Sequence, residues 1–321
     1  MNGRCLTIDV LKLAMAFMVV GLHAHFLNDL SPLGGYLTVE GLFRIAVPIF
    51  LLINGYYFYA ATDKGEQYVL IKRLFILYVF WMLAYLYIWL PPPTLSAAWL
   101  KKMFLISFFG YFHLWYIAGL IGAMLVFLAV RRLPTAVLLL SAIAMFLAGV
   151  FIQYEGNYDL LGKEKLHHFF VQNWAHRNFL FFSYPFFCVG YLIRKYRIQE
   201  RLSMAYAALL GLTGLAALLA ESYFNYTRSN DSLKFDNYLT LMLACPALFL
   251  LCLKIDIRGH DKRIALYSSS VYFVHIFFLV ALGALTHDRL GATPLTGIVI
   301  ALSLITSYFV IRLNKRVKFI L

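Results

Sequence analysis

Long apolar segments recur along this chain of 321 residues and leave only short loops between them. A helix rises about 1.5 Å per residue, so about 20 apolar residues cross the hydrocarbon core of a bilayer. Windows of that length begin near residues 6, 41, 68, 112, 135, 177, 203, 236, 265 and 293. Because 62% of the residues are hydrophobic and only 13% are charged, an ordinary soluble domain is excluded. The sequence predicts an all-α polytopic membrane protein with about ten transmembrane helices.

The distribution of lysine and arginine predicts the orientation of these helices. With alternating spans, one side of the membrane carries 18 of the 28 Lys and Arg residues and the other carries 8, while Lys12 and Arg44 lie within spans. The positive-inside rule therefore places both termini in the cytoplasm. This topology accounts for much of the net charge of +13, and we expect no nucleic acid partner.

The chain contains no linker, low-complexity run or soluble-sized insert between the spans. We expect a single transmembrane domain over residues 1–321, without an appended soluble domain. The first span is followed by further spans rather than by a small-residue cleavage site, so we expect no signal peptide. Cys5, Cys188, Cys245 and Cys252 fall in predicted helices without CxxC spacing. We therefore predict neither a metal site nor a disulfide.

Lys12 and His23 are spaced to share one face of the first predicted helix, about 16 Å apart. Ionisable groups in hydrocarbon cost roughly 3 kcal/mol or more, which favours a functional lining over lipid contact. A neutral His23 can take a proton from a hydroxyl nucleophile, although a helix-packing histidine is the alternative. His25 would lie about 200° round the same helix and away from that face.

Two charged pairs have helical spacing. Asp9 precedes Lys12 by three residues, and Glu40 precedes Arg44 by four, so each pair can form an ion pair on one helix face. An arginine inside the membrane can also bind a phosphate or an acceptor oxygen, and both readings stay open for Arg44.

Polar and aromatic residues concentrate in the predicted outward loop over residues 153–176. Glu155, Asp159, His167 and His168 are among its hydrogen-bonding groups, which suit a carbohydrate acceptor and equally suit a solvated interfacial loop. No inverted repeat is visible, although Pro48 interrupts the second predicted span and Pro185 the sixth.

Several stretches resemble the membrane acyltransferase-3 family. They are Asp9-Val-Leu-Lys12 with Val19 to His23, Arg44 to Tyr56, Phe112 to Tyr116, Tyr184 to Tyr191, and Ser270 to His275. Asn54 stands where that family usually has Ser, and Lys12 stands where many members have Arg. The resemblance covers nearly the whole chain and is closest to stand-alone bacterial sugar O-acetyltransferases.

This resemblance implies a ten-helix enzyme of the bacterial cytoplasmic (inner) membrane. Such an enzyme moves an acyl group, usually acetyl, from cytoplasmic acyl-CoA to a glycan hydroxyl, with acyl-CoA as a substrate and no bound cofactor. It implies His23 as the catalytic base. Further candidates, as charge partners or in donor or acceptor binding, are Lys12, Glu40, Arg44, Asn54, His113 and His275. The expected partners are acyl-CoA, a glycan or lipid-linked saccharide, and membrane lipid.

Two alternatives remain open from the sequence. A transporter or flippase of polar glycans would use the same residues to line a pathway without forming a bond. An acyltransferase that uses succinyl-CoA or an amino-acid acceptor would keep the reaction and change the substrate.

Overall fold

The computed structural model describes residues 4–94, 96–229, 233–255, 257–287 and 289–321. Over these residues the chain is mostly helical, as predicted. It divides into two compact units. The first unit comprises the residues up to 50, residues 196–319 and residue 321, and the second comprises residues 51–195 and 320. The prediction of one domain over the whole chain stays a prediction.

The helices follow one another with short connections. In chain order they are α1 (Leu6–His23), α2 (Pro32–Tyr36), α3 (Ala46–Asp63), α4 (Gln67–Ala84), α5 (Leu86–Trp89), α6 (Ala97–Phe109), α7 (Trp115–Val130), α8 (Thr135–Tyr158), α9 (Glu164–Phe170), α10 (Asn173–His176), α11 (Tyr184–Lys195), α12 (Ile198–Arg201), α13 (Met204–Ser229), α14 (Leu241–Ile255), α15 (Arg263–Thr286) and α16 (Ala292–Asn314). Leu37–Gly41 and Phe179–Ser183 are π-helical, and Leu42–Ile45 and Phe112–Leu114 are 3-10 turns.

Within the described residues, eight helical segments are long and apolar enough to cross a membrane. They are Leu6–His23, Pro32–Asp63, Gln67–Ala84, Phe112–Val130, Thr135–Tyr158, Met204–Ser229, Arg263–Thr286 and Ala292–Asn314. The prediction of a multi-pass helical membrane protein is confirmed. The two other predicted spans fall on shorter helices, α11 of 12 residues and α14 of 15. The count of ten and the cytoplasmic termini stay predictions.

A short two-stranded sheet joins the residues before α1 to the segment between α14 and α15. β1 (Arg4–Cys5) pairs antiparallel with β2 (Arg258–Gly259), and Cys5 lies opposite Arg258. The prediction that Cys5 lies in a helix is therefore wrong. Its backbone is extended before α1 begins at Leu6, and pairing with the β2 segment, more than 250 positions away, could not be read from local apolar periodicity.

The second predicted span is irregular before it becomes an α-helix. α2 leads into the π-helical segment Leu37–Gly41 and then a 3-10 turn, and only at Ala46 does α3 begin. Pro48 is the third residue of α3. It lies in the first turn, where backbone N–H groups have no acceptor within the α-helix, so a proline is tolerated there. The 3-10 turn ends three residues before this proline, and the prediction that Pro48 interrupts the span stays a prediction.

Two glycines let α3 and α11 approach closely inside the second unit. A Cβ on Gly55 would overlap the carbonyl oxygen of Phe187, and a Cβ on Gly190 would overlap that of Leu52. Small residues at helix contacts are the usual means by which membrane helices bring their backbones together. The pair of glycines therefore fixes this helix crossing by packing.

The segment after α1 is attached to the start of α16 in the first unit. The Asp29 carboxylate accepts from the Thr293 backbone N–H at 3.0 Å, and the Thr293 hydroxyl donates to the same carboxylate at 2.5 Å. A carboxylate at this position satisfies an otherwise unpaired amide of the first turn. These hydrogen bonds hold the pKa of Asp29 below its usual range.

Candidate active site

Two predicted histidines are neighbours in the first unit. His23 is the last residue of α1 and is half-buried, whereas His275 lies within α15 and is fully buried. Their rings stack with centroids 5.5 Å apart and planes inclined by 24°. α1 packs along α15, and the Ser268 hydroxyl donates to the backbone oxygen of Lys12 at 2.7 Å. Packing of these two helices therefore brings the histidines together.

Hydrogen bonds to the backbone orient the His275 ring. Its Nδ1 lies 2.8 Å from the carbonyl oxygen of Tyr272 and 3.2 Å from that of Val271. Both partners are acceptors, so Nδ1 carries the proton and Nε2 of the neutral ring is left as the basic nitrogen. The helix backbone thus selects one tautomer of His275.

Aromatic side chains continue from this pair toward the start of α3. The Tyr272 ring lies 6.3 Å from that of His275, and the Phe50 ring meets Tyr272 edge-on at 6.3 Å. Edge-to-face rings at this separation pack favourably. The histidine pair is therefore backed by an apolar wall from α15 and α3.

Arg44 lies at the centre of a buried charge cluster. Its two terminal nitrogens donate to separate carboxylates, one to Glu40 and one to Asp236. The side chains of Arg44 and Glu40 are each 8% exposed, and that of Asp236 is 15% exposed. The structure thus contains the ion pair predicted from the spacing of Glu40 and Arg44, and it adds a second carboxylate. With all three groups ionised, the cluster carries a net charge of −1.

Asp236 was missing from the sequence predictions. It stands 192 positions beyond Arg44, in the segment between α13 and α14. The backbone N–H of Phe235 also donates weakly to Glu40, at 3.4 Å. No helical or strand period relates residues so far apart, so periodicity could not pair Asp236 with Arg44. Only the polar character of this loop indicated that it could contact charged groups. The charge cluster attaches the loop to the irregular part of the second span.

His25 follows α1 and has left-handed backbone geometry, with φ of 56°. The prediction that His25 continues the same helix, about 200° round from His23, is wrong, because the helix ends at His23. The residue is exposed, and part of its ring is shielded from water. Packing lowers the pKa of His25 below its usual value, and the positive charge of Lys234 lowers it further. Glu40 acts in the opposite direction and Arg44 in the same direction as Lys234.

Lys12 lies in the middle of α1 with a half-buried side chain, and Asp9 is buried one turn earlier. The structure confirms that Lys12 and His23 share one continuous helix. Their shared role, and the ion pair of Lys12 with Asp9, stay predictions.

Two predicted site residues belong to the second unit. The Asn54 side-chain amide donates to the Tyr116 hydroxyl at 2.7 Å, which ties α3 to α7. His113 is buried, and its ring meets that of Tyr85 edge-on at 5.0 Å. Within this unit both residues have well-packed polar or aromatic neighbours, and their roles in binding stay predictions.

The second unit also contains an apolar cavity of about 330 Å³. Its lining includes Tyr78, Phe108, Trp115, Gly122, Arg177 and Phe179. The Arg177 guanidinium lies 5.0 Å from the centre of the Trp115 ring, at cation–π distance. Its lining combines an alkyl-compatible wall with one cation.

The fold and these side chains define a polytopic helical membrane protein with a stacked histidine pair and a buried charge cluster in one unit. An acyltransferase domain profile matches residues 6–312, nearly the whole chain. The chain therefore belongs to the acyltransferase-3 family, as the resemblance of its motifs predicted. Membership of this family supports acyl transfer as the general activity.

Two similar proteins are named as racemases and not as acyltransferases. The chain is 28% identical to a serine/alanine racemase of Enterococcus gallinarum over 272 residues, covering 80% of this chain and 38% of the relative. It is 26% identical to an amino-acid racemase of Enterococcus faecalis over 308 residues, covering 87% of this chain and 42% of the relative. The chain thus spans about two fifths of the length of these relatives. No solved structure matches this chain.

Proposed function

We propose that this protein transfers an acyl group, most often acetyl, from cytoplasmic acyl-CoA to a hydroxyl of a surface or exported glycan. The observation that carries the proposal is the stacked pair of His23 and His275 in a chain of the acyltransferase-3 family. The protein lies in the bacterial cytoplasmic membrane with ten spans and both termini in the cytoplasm, as the excess of cations on that side supports.

His23 acts as the general base in this proposal. It removes the proton of the acceptor hydroxyl as the oxygen attacks the thioester carbon, a new C–O bond forms and the C–S bond breaks. The protonated His23 then returns its proton to the departing CoA thiolate. His275 supports the ring of His23 by stacking and offers Nε2 for a hydrogen bond, because its Nδ1 proton is held by backbone carbonyls.

Arg44 and Glu40 position the site rather than stabilise an oxyanion. Both terminal nitrogens of the Arg44 guanidinium donate to carboxylates. The first role of Arg44 and Glu40 is therefore to hold the loop that carries Asp236. Lys12 keeps the role of a charge partner for the anionic donor, as a point charge without the planar fork of an arginine.

The cavity of the second unit suits the alkyl chain of a lipid-linked saccharide acceptor. Its walls are apolar, and Arg177 gives it one positive charge that complements a lipid phosphate. Asn54 and His113 are further candidates for acceptor binding, on the strength of the family motifs that contain them.

A second candidate function has an amino acid as the acceptor. The names of the two racemase relatives favour it, since both proteins act on amino acids by name. Serine offers a hydroxyl that the same base can activate, whereas alanine offers only its amine. The racemase activity belongs to proteins more than twice as long as the matched region, so it gives the substrate class and not the reaction.

The decisive experiment measures transfer of labelled acetyl from acetyl-CoA by the full chain in lipid nanodiscs. Acceptors are extracted glycan intermediates, L-serine and L-alanine, tested separately, and succinyl-CoA serves as a second donor. The variants are His23→Ala and, as a control on an exposed histidine, His168→Ala. Label on glycan that His23→Ala abolishes and His168→Ala retains supports the proposal, and label on serine supports the second candidate.

Two results would overturn the proposal. Equal transfer by wild type and His23→Ala would remove His23 as the base. If the folded protein transferred no acyl group between any donor and acceptor, a transporter or flippase of polar glycans would replace the enzyme.

A further inference from the structure

Three metal-ligating side chains meet where α8 ends, within the second unit. Glu155 and Asp159 are four residues apart at the C-terminal end of α8, and His167 lies in α9. One ligand atom from each lies within 4.8 Å of the other two. Neither the acyl-transfer proposal nor the family motifs use any of these residues.

The local fold brings the three together. Asp159 ends α8 with left-handed backbone geometry at φ of 48°, and Gly162 has φ of 58°. These two positions reverse the chain within five residues, so that α9 packs beside α8. The reversal turns His167 back toward the last turn of α8.

Two carboxylates at this helix end are electrostatically unfavourable unless a cation joins them. The C-terminal end of a helix carries partial negative charge from its free carbonyls. The last turn of α8 holds no basic residue. Both Glu155 and Asp159 therefore add negative charge to the negative end of the helix dipole.

Glu155 gives independent evidence for a ligand at this place. It is fully buried, and its Oε2 accepts from the backbone N–H of Leu161 at 3.0 Å. Its Oε1 is also buried and has no hydrogen-bond donor among the described residues. A buried carboxylate oxygen without a donor is costly, because it has lost water and gained nothing in exchange.

The spacing of His167 and Asp159 fits two ligands of one ion. His167 Nδ1 lies 3.8 Å from Asp159 Oδ1, too far for a hydrogen bond. Ligands about 2.0–2.2 Å from a tetrahedral Zn²⁺ lie about 3.4 Å from one another. If these two atoms approached each other by a few tenths of an ångström, their separation would be that of two ligands of one ion.

We propose that Glu155, Asp159 and His167 bind one divalent transition-metal ion of the zinc class. One imidazole nitrogen with two carboxylates suits Zn²⁺, whereas Ca²⁺ and Mg²⁺ prefer oxygen ligands alone. Water fills the fourth position. The ion joins α8 to α9 and neutralises the carboxylates, so its role is to stabilise this loop independently of acyl transfer.

The test uses the purified full chain, stripped with EDTA and then given ZnCl₂, with CaCl₂ as a comparison. Bound zinc is counted by mass spectrometry of the metal, and the thermal unfolding midpoint is recorded with and without zinc. His167→Gln and Asp159→Asn remove ligands. His168→Gln is the matched control, because this adjacent, 74% exposed histidine faces Glu164 instead.

We expect wild type and His168→Gln to bind one zinc per chain and to unfold at a higher temperature with zinc. His167→Gln and Asp159→Asn should bind roughly tenfold more weakly or worse. The difference between His167→Gln and wild type should appear with zinc and vanish in EDTA, which also shows that the variant folds.

Four outcomes would overturn the proposal. The first is that wild type retains no zinc, and the second is that His167→Gln binds zinc as well as His168→Gln does. A loss of stability in His167→Gln that is equal in EDTA and in zinc would show that the three side chains hold the loop without a metal ion. Tighter binding of Ca²⁺ than of Zn²⁺ would overturn the assignment to the zinc class.

Discussion

The imidazole of His23 stacks on that of His275, 5.5 Å from centroid to centroid, although the two residues lie at opposite ends of the sequence. One ring is half-buried at the end of α1 and the other is fully buried in α15. A half-buried base can receive a substrate, and a buried ring locked by backbone carbonyls can hold that base in place. In the proposed reaction His23 is accordingly the base, and His275 supports it.

This division of roles predicts unequal and non-additive losses of activity. Replacing His23 by Ala should lower the rate of acyl transfer by about 10²–10⁴-fold, the usual contribution of a general base. His275→Gln should cost less, because the base remains and only its orientation is relaxed. The double variant should be little worse than His23→Ala, since residues that act as a unit do not add.

The measurement is the rate of label transfer from acetyl-CoA for the three variants in nanodiscs, with thermal unfolding as the control for folding. The dependence of activity on pH distinguishes a supporting role of His275 for the base from a role in helix packing alone. His275→Gln should shift the pH at which activity rises, and an unchanged profile would leave His275 as a packing residue.

The charge cluster predicts opposite outcomes for its cation and for one of its anions. Arg44→Ala removes the cation that Glu40 and Asp236 share and leaves their negative charges uncompensated by it, so it should cost about 3–5 kcal/mol of stability. Asp236→Asn leaves Glu40 and Arg44 as a neutral pair, and should cost far less. Thermal and denaturant unfolding in detergent measure both. Equal losses for the two variants would contradict the view that Arg44 compensates both carboxylates.

The sequence was sufficient to predict the apolar helices, and it offered the pairing of Glu40 with Arg44 beside a binding role for Arg44, because both features depend on residues close together along the chain. Asp236 and the stacking of His23 on His275 depend on how distant segments pack, which no local period reports. The prediction of no metal site depended on the spacing of the cysteines, which carries no information on Glu155, Asp159 and His167.

Helix packing in the second unit predicts a steric cost at two glycines. Gly55→Ala and Gly190→Ala each place a methyl group against a backbone carbonyl, which cannot move aside as a side chain can. Overpacking of this kind costs about 1–3 kcal/mol or more. Gly297→Ala is the control, since a Cβ there meets no atom within 4 Å.

Gly297→Ala lies within α16 and should leave stability unchanged or raise it slightly, because alanine is the better helix former. Unfolding midpoints of the three variants, measured in the same detergent, decide the matter. Losses of equal size in all three would show that the cost at Gly55 and Gly190 does not come from the close approach of α3 to α11.

His25 predicts a fall in stability on mild acidification. Its folded-state pKa lies below the ordinary value of about 6.5, so the unfolded chain binds more protons between those two pKa values. The contribution of His25 is therefore fully present above pH of about 6.5 and is lost as the pH falls through that window toward the folded-state pKa.

His25→Asn tolerates the left-handed backbone and should flatten this part of the stability profile. Lys234→Met should reduce the slope without abolishing it, because packing is the larger cause of the shift. Unfolding midpoints from pH 5 to pH 8 for the three proteins measure the effect, and a wild-type profile that His25→Asn leaves unaltered would assign the slope to other groups.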